Sequence, residues 1–371
     1  MNTFKSFFKS NLTFVGIGVA FTFLLIFFTV WLTAYDGVTD RMNNLKVGVV
    51  NDDASFNSSL LTESLPFTTT TIAQQSDGTE QLNKRELDML IVVPQSFTED
   101  IAANTAVMTY YINQASPSLS KQIMENAAKE ATAKINEQVF AMKKEQVINA
   151  PEAYIKDGVQ SLSMQGVQPE IIKLNQTEGF AASMIPLLVV LASFVGSMLM
   201  SMNLFQASQK LAPFHNKWSI LFSRFLIQFI VSVLLSALTI SLLLLFKFEL
   251  HVSVWEGFMF QVLVYLAFLC LTQMFTVVFG LAGMLFNIVS LSIQLVTAGV
   301  IVPRALLSDF YQSLSNIFPA TYGASGYFSI IYGGTNVTGE MKMLAAIILI
   351  TFSVTVLRAA LSKSKEKMTV S

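Results

Sequence analysis

The stretch VGVVNDD, residues Val47 to Asp53, decides how the first half of the chain is interpreted. A short apolar run that ends in Asn-Asp-Asp is typical of a buried strand followed by a polar turn. The acidic turn could also hold a cation through oxygen ligands, although no further acid cluster accompanies it. Because the stretch follows a long apolar run, residues 12–34, it predicts an α/β unit that begins beside a membrane-length segment.

The composition of the chain is that of an integral membrane protein. Its 371 residues are 53% hydrophobic and 13% charged, whereas soluble domains carry about 25% charged residues. The formal net charge of −1 gives no general attraction to nucleic acid, and we expect no nucleic-acid partner. The single cysteine, Cys270, excludes an intramolecular disulfide and is interpreted as a packed core thiol.

Six apolar runs are long enough to cross a bilayer, which takes about 20 residues. The first, residues 12–34, follows Lys5 and Lys9 and is interpreted as an uncleaved signal anchor, because its apolar core is long for a signal peptide. The other five lie near residues 180–203, 219–246, 257–281, 285–303 and 341–362. We therefore predict an α-helical membrane protein of six transmembrane helices, with a mixed α/β extracytoplasmic domain between helices one and two.

The basic residues predict the orientation of the chain. They cluster before the first span, between the second and third spans, and after the last span: Lys5, Lys9, Lys210, Lys217, Arg224, Arg358, Lys363, Lys365 and Lys367. With an even number of spans these clusters share one side, the cytoplasm, whereas residues 35–178 on the other side carry 19 of the 24 acids. We expect a multi-pass cell-membrane protein with a cytoplasmic N-terminus (1–11), a cytoplasmic tail (363–371) and an extracellular segment 35–178.

Strand-like and helix-like patterns alternate in residues 35–178, which predicts a partly parallel sheet. Predicted strands are residues 46–50, 88–94 and 106–114, and predicted helices are 96–103, 118–147 and 152–164. Ser96 and Glu99 have the spacing of a capping box for the first helix. In the long helix, apolar residues recur every fourth position from Ile123 to Val139. That face predicts packing either against this domain or against a second copy of the chain.

The same segment resembles the extracytoplasmic domain of the YhgE/Pip (phage infection protein) family of type-2 ABC exporter permeases. The resemblance rests on the order of three motifs: VGVVNDD (47–53), LDMLIVVPQSFTEDI (87–101) and TYYINQASPSLSKQI (109–123). It covers roughly residues 1–150. It implies that residues 179–362 form the permease membrane domain, with five further helices.

A second resemblance to type-2 ABC permeases lies in residues 299–334, GVIVPRALLSDFYQSLSNIFPATYGASGYFSIIYGG. Its turn and P-x-x-Y step correspond to Pro303, Pro319 and Tyr322. The run is apolar but interrupted, so a single span is excluded, because broken backbone at membrane depth needs protein or water around it. We predict a re-entrant segment of two short helices near residues 304–333; the alternative is an interfacial loop without a mechanistic role.

In type-2 ABC permeases, the cytoplasmic stretch that corresponds to residues 203–224 contacts the ATPase subunit. The resemblance places a coupling loop at Gln209, Lys210, Leu211, Pro213 and Lys217. The Glu and the Gly-Thr pair of the usual pattern are missing here, which weakens standard coupling at this site. The alternative is that the lysines and His215 only mark the cytoplasmic side.

Motifs for chemistry are absent from the sequence. There is no P-loop and no nucleophile elbow, and His215 and His251 fall on opposite sides of the predicted membrane. We therefore predict no catalytic residue, cofactor or metal site, and we expect ATP hydrolysis to belong to a separate subunit. Five amides lie within the predicted spans: Gln228, Gln261, Gln273, Asn287 and Gln294. Such amides join helices more often than they line a substrate path.

These patterns predict the membrane-spanning permease subunit of an ATP-driven ABC exporter. The expected partners are a cytoplasmic ABC ATPase, a second permease chain, identical or paralogous, and membrane lipids. The resemblance implies an amphipathic or hydrophobic substrate: a lipid, an antimicrobial peptide or a drug. The alternative is a non-transport envelope protein whose extracytoplasmic domain acts as a phage receptor or a secretion-associated scaffold.

Overall fold

The structure is a computed structural model that describes residues 21, 25–26, 29–149, 163, 165–177 and 180–362. The chain divides into two compact units. The α/β unit comprises residues 37–177 and 301–306, and the helical unit comprises the remainder. The predicted helix at 152–164 lies outside the described residues, as do most of the first predicted span and the tail 363–371.

The α/β unit contains a five-stranded sheet with the order β2-β1-β3-β4-β5. Its strands are β1 (Lys46–Asn51), β2 (Thr68–Thr71), β3 (Met89–Val93), β4 (Ala106–Asn113) and β5 (Val167–Leu174). Its helices are α1 (Ser59–Ser64), α2 (Gln75–Asn83), α3 (Phe97–Ala103) and α4 (Ser118–Ile148), and a 3-10 helix spans Thr39–Asn44. β1 pairs parallel with β2 and β3, β4 pairs parallel with β5, and only the β3–β4 pair in this sheet is antiparallel.

The three strands predicted from apolar runs are confirmed. All five residues of β3 are buried, as are Val47, Val49 and Val50 of β1. The predicted partly parallel sheet is confirmed as well. Strands that are buried on both faces have continuous apolar sequences, so these strands could be predicted from their apolar runs.

Two strands were missed because they lie at the edges of the sheet. β2 consists of four threonines, of which three are exposed, and β5 carries Pro169 and mostly exposed or half-buried side chains. An edge strand needs no apolar run, and it tolerates proline because one side of its backbone is unpaired. Short polar sequences of this kind are indistinguishable from loops without the partner strand.

The apolar face of helix α4 packs against the sheet of its own domain, which is the first of the two alternatives left open by the sequence. Its buried face includes Ala127, Ala131, Ile135 and Val139, whereas Ile123 is half-buried. Polar contacts fix the register: Asn136 Nδ2 donates to the Val167 carbonyl at 2.8 Å, and its Oδ1 accepts from the Val167 N–H at 2.7 Å.

The predicted capping box at the start of α3 is wrong. The Ser96 hydroxyl donates to the Asp100 carboxylate at 2.7 Å and makes no cap to the helix backbone. The Thr98 N–H instead donates to Asp53 Oδ2 at 2.7 Å. Asp53 also accepts from the Ser55 N–H at 2.8 Å. The polar turn after β1 therefore caps a helix that is 45 residues distant in sequence.

Residues 301–306 join the α/β unit although they follow a long apolar helix. Arg41 Nε donates to the Leu306 carbonyl at 2.6 Å, and Asn44 Nδ2 donates to the Ala305 carbonyl at 2.9 Å. The Leu119 N–H donates to the Ile301 carbonyl at 3.1 Å. The predicted span 285–303 is therefore too long at its end, because residues 301–303 lie in the α/β unit.

The labelled helices of the helical unit are α5 (Phe180–Leu211), α6 (Lys217–Leu245), α7 (Val254–Phe279), α8 (Gly283–Thr297), α9 (Asp309–Ser315), α10 (Pro319–Tyr332) and α11 (Thr338–Leu361). Among the described residues, four helical stretches are long and apolar enough to cross a membrane: Ala182–Leu211, Lys217–Leu245, Val254–Thr297 and Thr338–Leu361. The total of six spans stays a prediction.

The 44-residue stretch Val254–Thr297 is a helical hairpin rather than one long helix. A 3-10 turn at Gly280–Ala282 separates α7 from α8. The rings of Phe279 and Phe286 stack at 4.0 Å, and Asn287 Nδ2 donates to the Thr272 carbonyl at 3.3 Å. These contacts pair residues on opposite sides of the turn, so the chain reverses direction there.

Candidate functional site

The connection between α5 and α6 is a tight turn of five residues, 212–216. It begins with continued helical bonding, since the Ala212 N–H donates to the Ser208 carbonyl at 2.9 Å. It ends at Asn216, whose side chain accepts from the Trp218 N–H at 3.1 Å and caps α6. The coupling segment predicted from the sequence is thus two helix ends and a short turn, without a separate helix of its own.

The structure brings the five residues of this predicted segment together around the turn. Gln209, Lys210 and Leu211 are exposed, whereas Pro213 and Lys217 are half-buried. Lys217 Nζ donates to the Ala360 and Ser362 carbonyls, at 3.2 and 2.7 Å. Lys217 therefore ties the start of α6 to the end of α11.

Two aromatic residues at this turn were missed by the sequence reasoning. Phe214 is 56% exposed and Trp218 is 45% exposed. Together with Leu211, which is 46% exposed, they form an apolar tip, defined here as Leu211, Phe214 and Trp218. Large apolar side chains beside a polar turn were the available signal, since such residues often anchor interfaces or lie at the membrane–water boundary.

A cavity of about 300 Å³ lies beside the turn, between the ends of four helices. Its lining combines polar and basic residues with apolar ones: Phe205, Ser208, Gln209, Ala212, His215, Lys217, Ile220, Leu221, Arg224, Val277, Arg358, Ala359 and Ser362. None of these described lining residues is an aspartate or a glutamate. The cavity therefore has a net positive lining.

Arg224 is the buried charge of this cavity. Its side chain is 6% exposed, and its Nε and Nη2 atoms are buried without a hydrogen-bond partner. Its guanidinium carbon lies 6.0 Å from the centre of the Phe205 ring, which supplies a cation–π contact. One turn further along α6, the fully buried Gln228 also leaves both amide atoms unpartnered.

Buried hydroxyl side chains recur at four-residue spacing along the membrane-length helices. They are Ser193, Ser197 and Ser201 on α5, Ser232 and Ser236 on α6, Thr272 and Thr276 on α7, and Thr351 and Thr355 on α11. Several bond within their own helix or to a neighbour, as Ser201 and Thr272 do at 2.7 Å. The spacing was visible in the sequence, but only packing shows that these faces turn inward.

The second predicted segment is divided between the two units. Pro303 belongs to the α/β unit, whereas Pro319 and Tyr322 belong to the helical unit. Pro319 is the first residue of α10, and Tyr322 Oη donates to the Asn316 carbonyl at 2.8 Å. The two short helices expected here are present as α9 and α10; their re-entry into a membrane stays a prediction.

Helix α10 is held in the bundle by a buried polar chain. Tyr327 Oη donates to Gln261 Oε1 at 2.6 Å, and Gln261 Nε2 donates to the Ser193 hydroxyl at 3.2 Å. The Ala320 N–H donates to Gln294 Oε1 at 3.2 Å. These amides join helices, as the sequence led us to expect of amides within spans.

In the part of the chain that the structure describes, no three His, Cys, Asp or Glu residues group as a metal site would require. Asp52 is exposed, and Asp53 is occupied in capping α3.

Sequence comparisons match the chain to a family of membrane transport proteins. A sequence model of the family described as ABC-2 family transporter protein matches residues 13–357. A protein of Bacillus subtilis (strain 168) named "Uncharacterized protein YhgE" is 26% identical over 177 residues, which are 47% of this chain and 22% of that protein. The chain thus aligns with less than a quarter of that relative's length. No solved structure matches the chain.

The family match extends over both units and most of the chain, and it confirms the resemblance to type-2 ABC permeases. ABC-2 permeases are membrane components of transport and are not themselves ATPases. The chain belongs to the ABC-2 family of transporter proteins.

Proposed function

We propose that this chain is the membrane-spanning permease subunit of an ATP-driven exporter. A separate cytoplasmic ABC ATPase docks on the α5–α6 turn, and a second permease chain, identical or paralogous, completes the translocation path. Membrane lipids surround the spans. The cargo is amphipathic or hydrophobic: a lipid, an antimicrobial peptide or a drug. Both termini are cytoplasmic and residues 35–178 are extracellular, as the distribution of basic residues favours.

The observation that carries this proposal is the exposed tip between two membrane-length helices. Leu211, Phe214 and Trp218 offer the aromatic and apolar anchors that protein interfaces use, and Lys210 lies beside them. The turn is short and capped, so a force on the tip is transmitted to α5 and α6 as rigid bodies. The chain lacks the Glu and the Gly-Thr pair of the usual coupling pattern, and in this proposal the apolar contacts of the tip with the ATPase take their place.

The buried hydroxyl faces suit the same role. Neutral hydroxyls let helices approach closely and exchange hydrogen-bond partners as the helices shift. Among the described residues of the helical unit, Arg224 is a buried charged side chain and no carboxylate is buried. A proton relay across the membrane requires a series of such buried carboxylates. Energy from ATP, supplied by another subunit, fits these features better than proton coupling does.

The test is affinity purification of the full-length chain from its native membrane, followed by mass spectrometry of the proteins that copurify. We expect a P-loop ATPase in stoichiometric amount. Recovery without an ATPase, and with phage-adsorption or secretion proteins instead, would replace the exporter by the receptor or scaffold alternative.

Variants make the docking assignment specific. Phe214→Ala and Lys210→Glu alter exposed side chains, and each should weaken ATPase recovery. Lys217→Glu is a poorer test, because Lys217 also holds the end of α11. Lys342→Glu changes an exposed lysine near the start of α11 and is the matched control. Unchanged recovery with both tip variants would remove the docking site but leave the family intact.

A further inference from the structure

We infer that the cavity beside the α5–α6 turn binds the anionic phosphate headgroup of a membrane lipid, with Arg224 as its anchor. The cavity adjoins the turn proposed for ATPase docking, but its lining includes none of the three residues of the exposed tip. The inference does not depend on the presence of an ATPase.

Arg224 has buried nitrogen atoms that lack hydrogen-bond partners. Arg224 is 6% exposed, and two of its guanidinium nitrogens have no hydrogen-bond partner, which is costly unless a ligand supplies oxygen atoms. The Phe205 ring contacts the planar face of the Arg224 guanidinium and supplies no hydrogen-bond acceptor oxygen. A phosphate offers oxygens in the geometry that an arginine fork binds in a bidentate manner.

The lining of the cavity as a whole carries positive charge. Lys217 and Arg358 also line the cavity, and among the described lining residues there is no carboxylate to neutralise them. Lys217 Nζ is engaged by carbonyls at the end of α11, whereas Arg358 is exposed. An anion that entered would therefore meet a buried fork and an exposed guanidinium.

The apolar part of the lining favours a lipid over a soluble anion. Phe205, Ile220, Leu221 and Val277 form an apolar part of the lining, which suits the glycerol and upper acyl region of a lipid. In the orientation proposed above, which this inference adopts, the cavity lies on the cytoplasmic side, where basic cavities between spans bind lipid headgroups.

The experiment measures thermal unfolding of the purified full-length chain in neutral detergent during titration with lipid. Phosphatidylglycerol is compared with phosphatidylcholine of the same acyl chains, and inorganic phosphate forms a third arm. A ligand that binds the folded state raises the unfolding temperature in a saturable way. We expect phosphatidylglycerol to stabilise the wild type and phosphatidylcholine to have little effect.

Substitutions assign the effect to the cavity. Arg224→Gln should weaken the apparent affinity for phosphatidylglycerol at least about tenfold, because it removes a bidentate charged contact. Arg224→Lys keeps the charge but loses the fork, so an intermediate loss is expected. Lys342→Gln removes an exposed charge outside the cavity and should retain the wild-type response.

The outcomes are distinct. If both lipids stabilise equally, or if Arg224→Gln keeps the wild-type response, the inference is overturned. Saturation by inorganic phosphate alone, with no further effect of phosphatidylglycerol, would overturn the lipid and leave a free anion as the occupant. If Arg224→Gln does not fold, the Arg224→Lys variant and the lipid selectivity of the wild type decide.

Discussion

The two units of this protein differ in how completely they satisfy their buried polar atoms. Among the described residues, the α/β unit leaves one buried side-chain atom, Nε2 of Gln114, without a hydrogen-bond partner. The helical unit leaves such atoms on Tyr35, Ser197, Arg224, Gln228, Gln273, Asn287 and Thr321. Buried polar groups in folded proteins are ordinarily paired. The difference predicts that the loss of a buried hydrogen bond costs more in the α/β unit than in the helical unit.

The largest loss of stability is expected from Gly283→Ala, which disrupts the close packing of α7 against α8 in the helical hairpin. A Cβ at this position would lie 2.2 Å from the carbonyl oxygen of Phe275, which is backbone and cannot move aside. We expect a loss of about 3 kcal/mol in unfolding free energy, because α7 and α8 must separate. Denaturant unfolding of the purified chain measures it.

The matched control for this variant is Gly196→Ala on α5, where a Cβ would meet nothing within 4 Å. Its stability should stay close to that of the wild type or rise slightly, because alanine favours a helix. Equal stability of the two variants would mean that the hairpin turn is less constrained than the structure shows.

Next in size is Asn113→Ala at the end of β4. This fully buried side chain donates to the Leu82 carbonyl at 2.8 Å and accepts from the Ala115 N–H at 2.9 Å and from Asn175 at 3.0 Å. Its loss should cost about 2–3 kcal/mol, because buried partners are left unpaired. Hydrogen exchange of α/β-unit peptides in the full-length chain measures it, with the exposed Asn43→Ala as control.

Tyr327→Phe removes a comparable hydrogen bond from the helical unit and should cost less. The Tyr327 hydroxyl donates to Gln261 at 2.6 Å. Hydrogen bonds between membrane helices contribute about 0.6 kcal/mol on average and about 1.7 kcal/mol at most. Denaturant unfolding should therefore show a smaller loss than for Asn113→Ala. A larger loss would reverse the comparison and make the helical unit the more tightly specified one.

The smallest effect concerns Asp53 and depends on pH. Hydrogen bonds from the Thr98 hydroxyl and backbone N–H hold the pKa of Asp53 below its ordinary value. A lowered pKa in the folded state stabilises the fold at pH values above about 3.9, and this contribution is lost as the pH falls through the folded-state pKa. Asp53→Asn should lower protection of β1 and α3 at pH 7 and flatten its decline in acid.

Hydrogen exchange at several pH values, corrected for the intrinsic exchange rate, tests this expectation. Asp52→Asn changes the exposed neighbouring carboxylate and serves as the control. If the wild type and Asp53→Asn lose protection over the same acid range, then Asp53 is not the group that links the cap of α3 to pH.

Local sequence patterns are sufficient to indicate the class of the protein and its long elements. Apolar runs of membrane length, the buried strands around Val47 and Leu90, and the helix from Ser118 are signals of composition and period, which are local. The same locality made the order of motifs sufficient to indicate the family, which the match over residues 13–357 confirms.

Which distant groups meet depends on the three-dimensional packing of the chain. The cap of α3 comes from Asp53, the edge strands β2 and β5 exist through their partners, and residues 301–306 are held by Arg41 and Asn44. The reversal at Gly283 and the cavity around Arg224 likewise depend on helices that are separated in sequence. Pairing between distant residues leaves no periodic trace in a chain, because each partner is satisfied by geometry rather than by its neighbours in sequence.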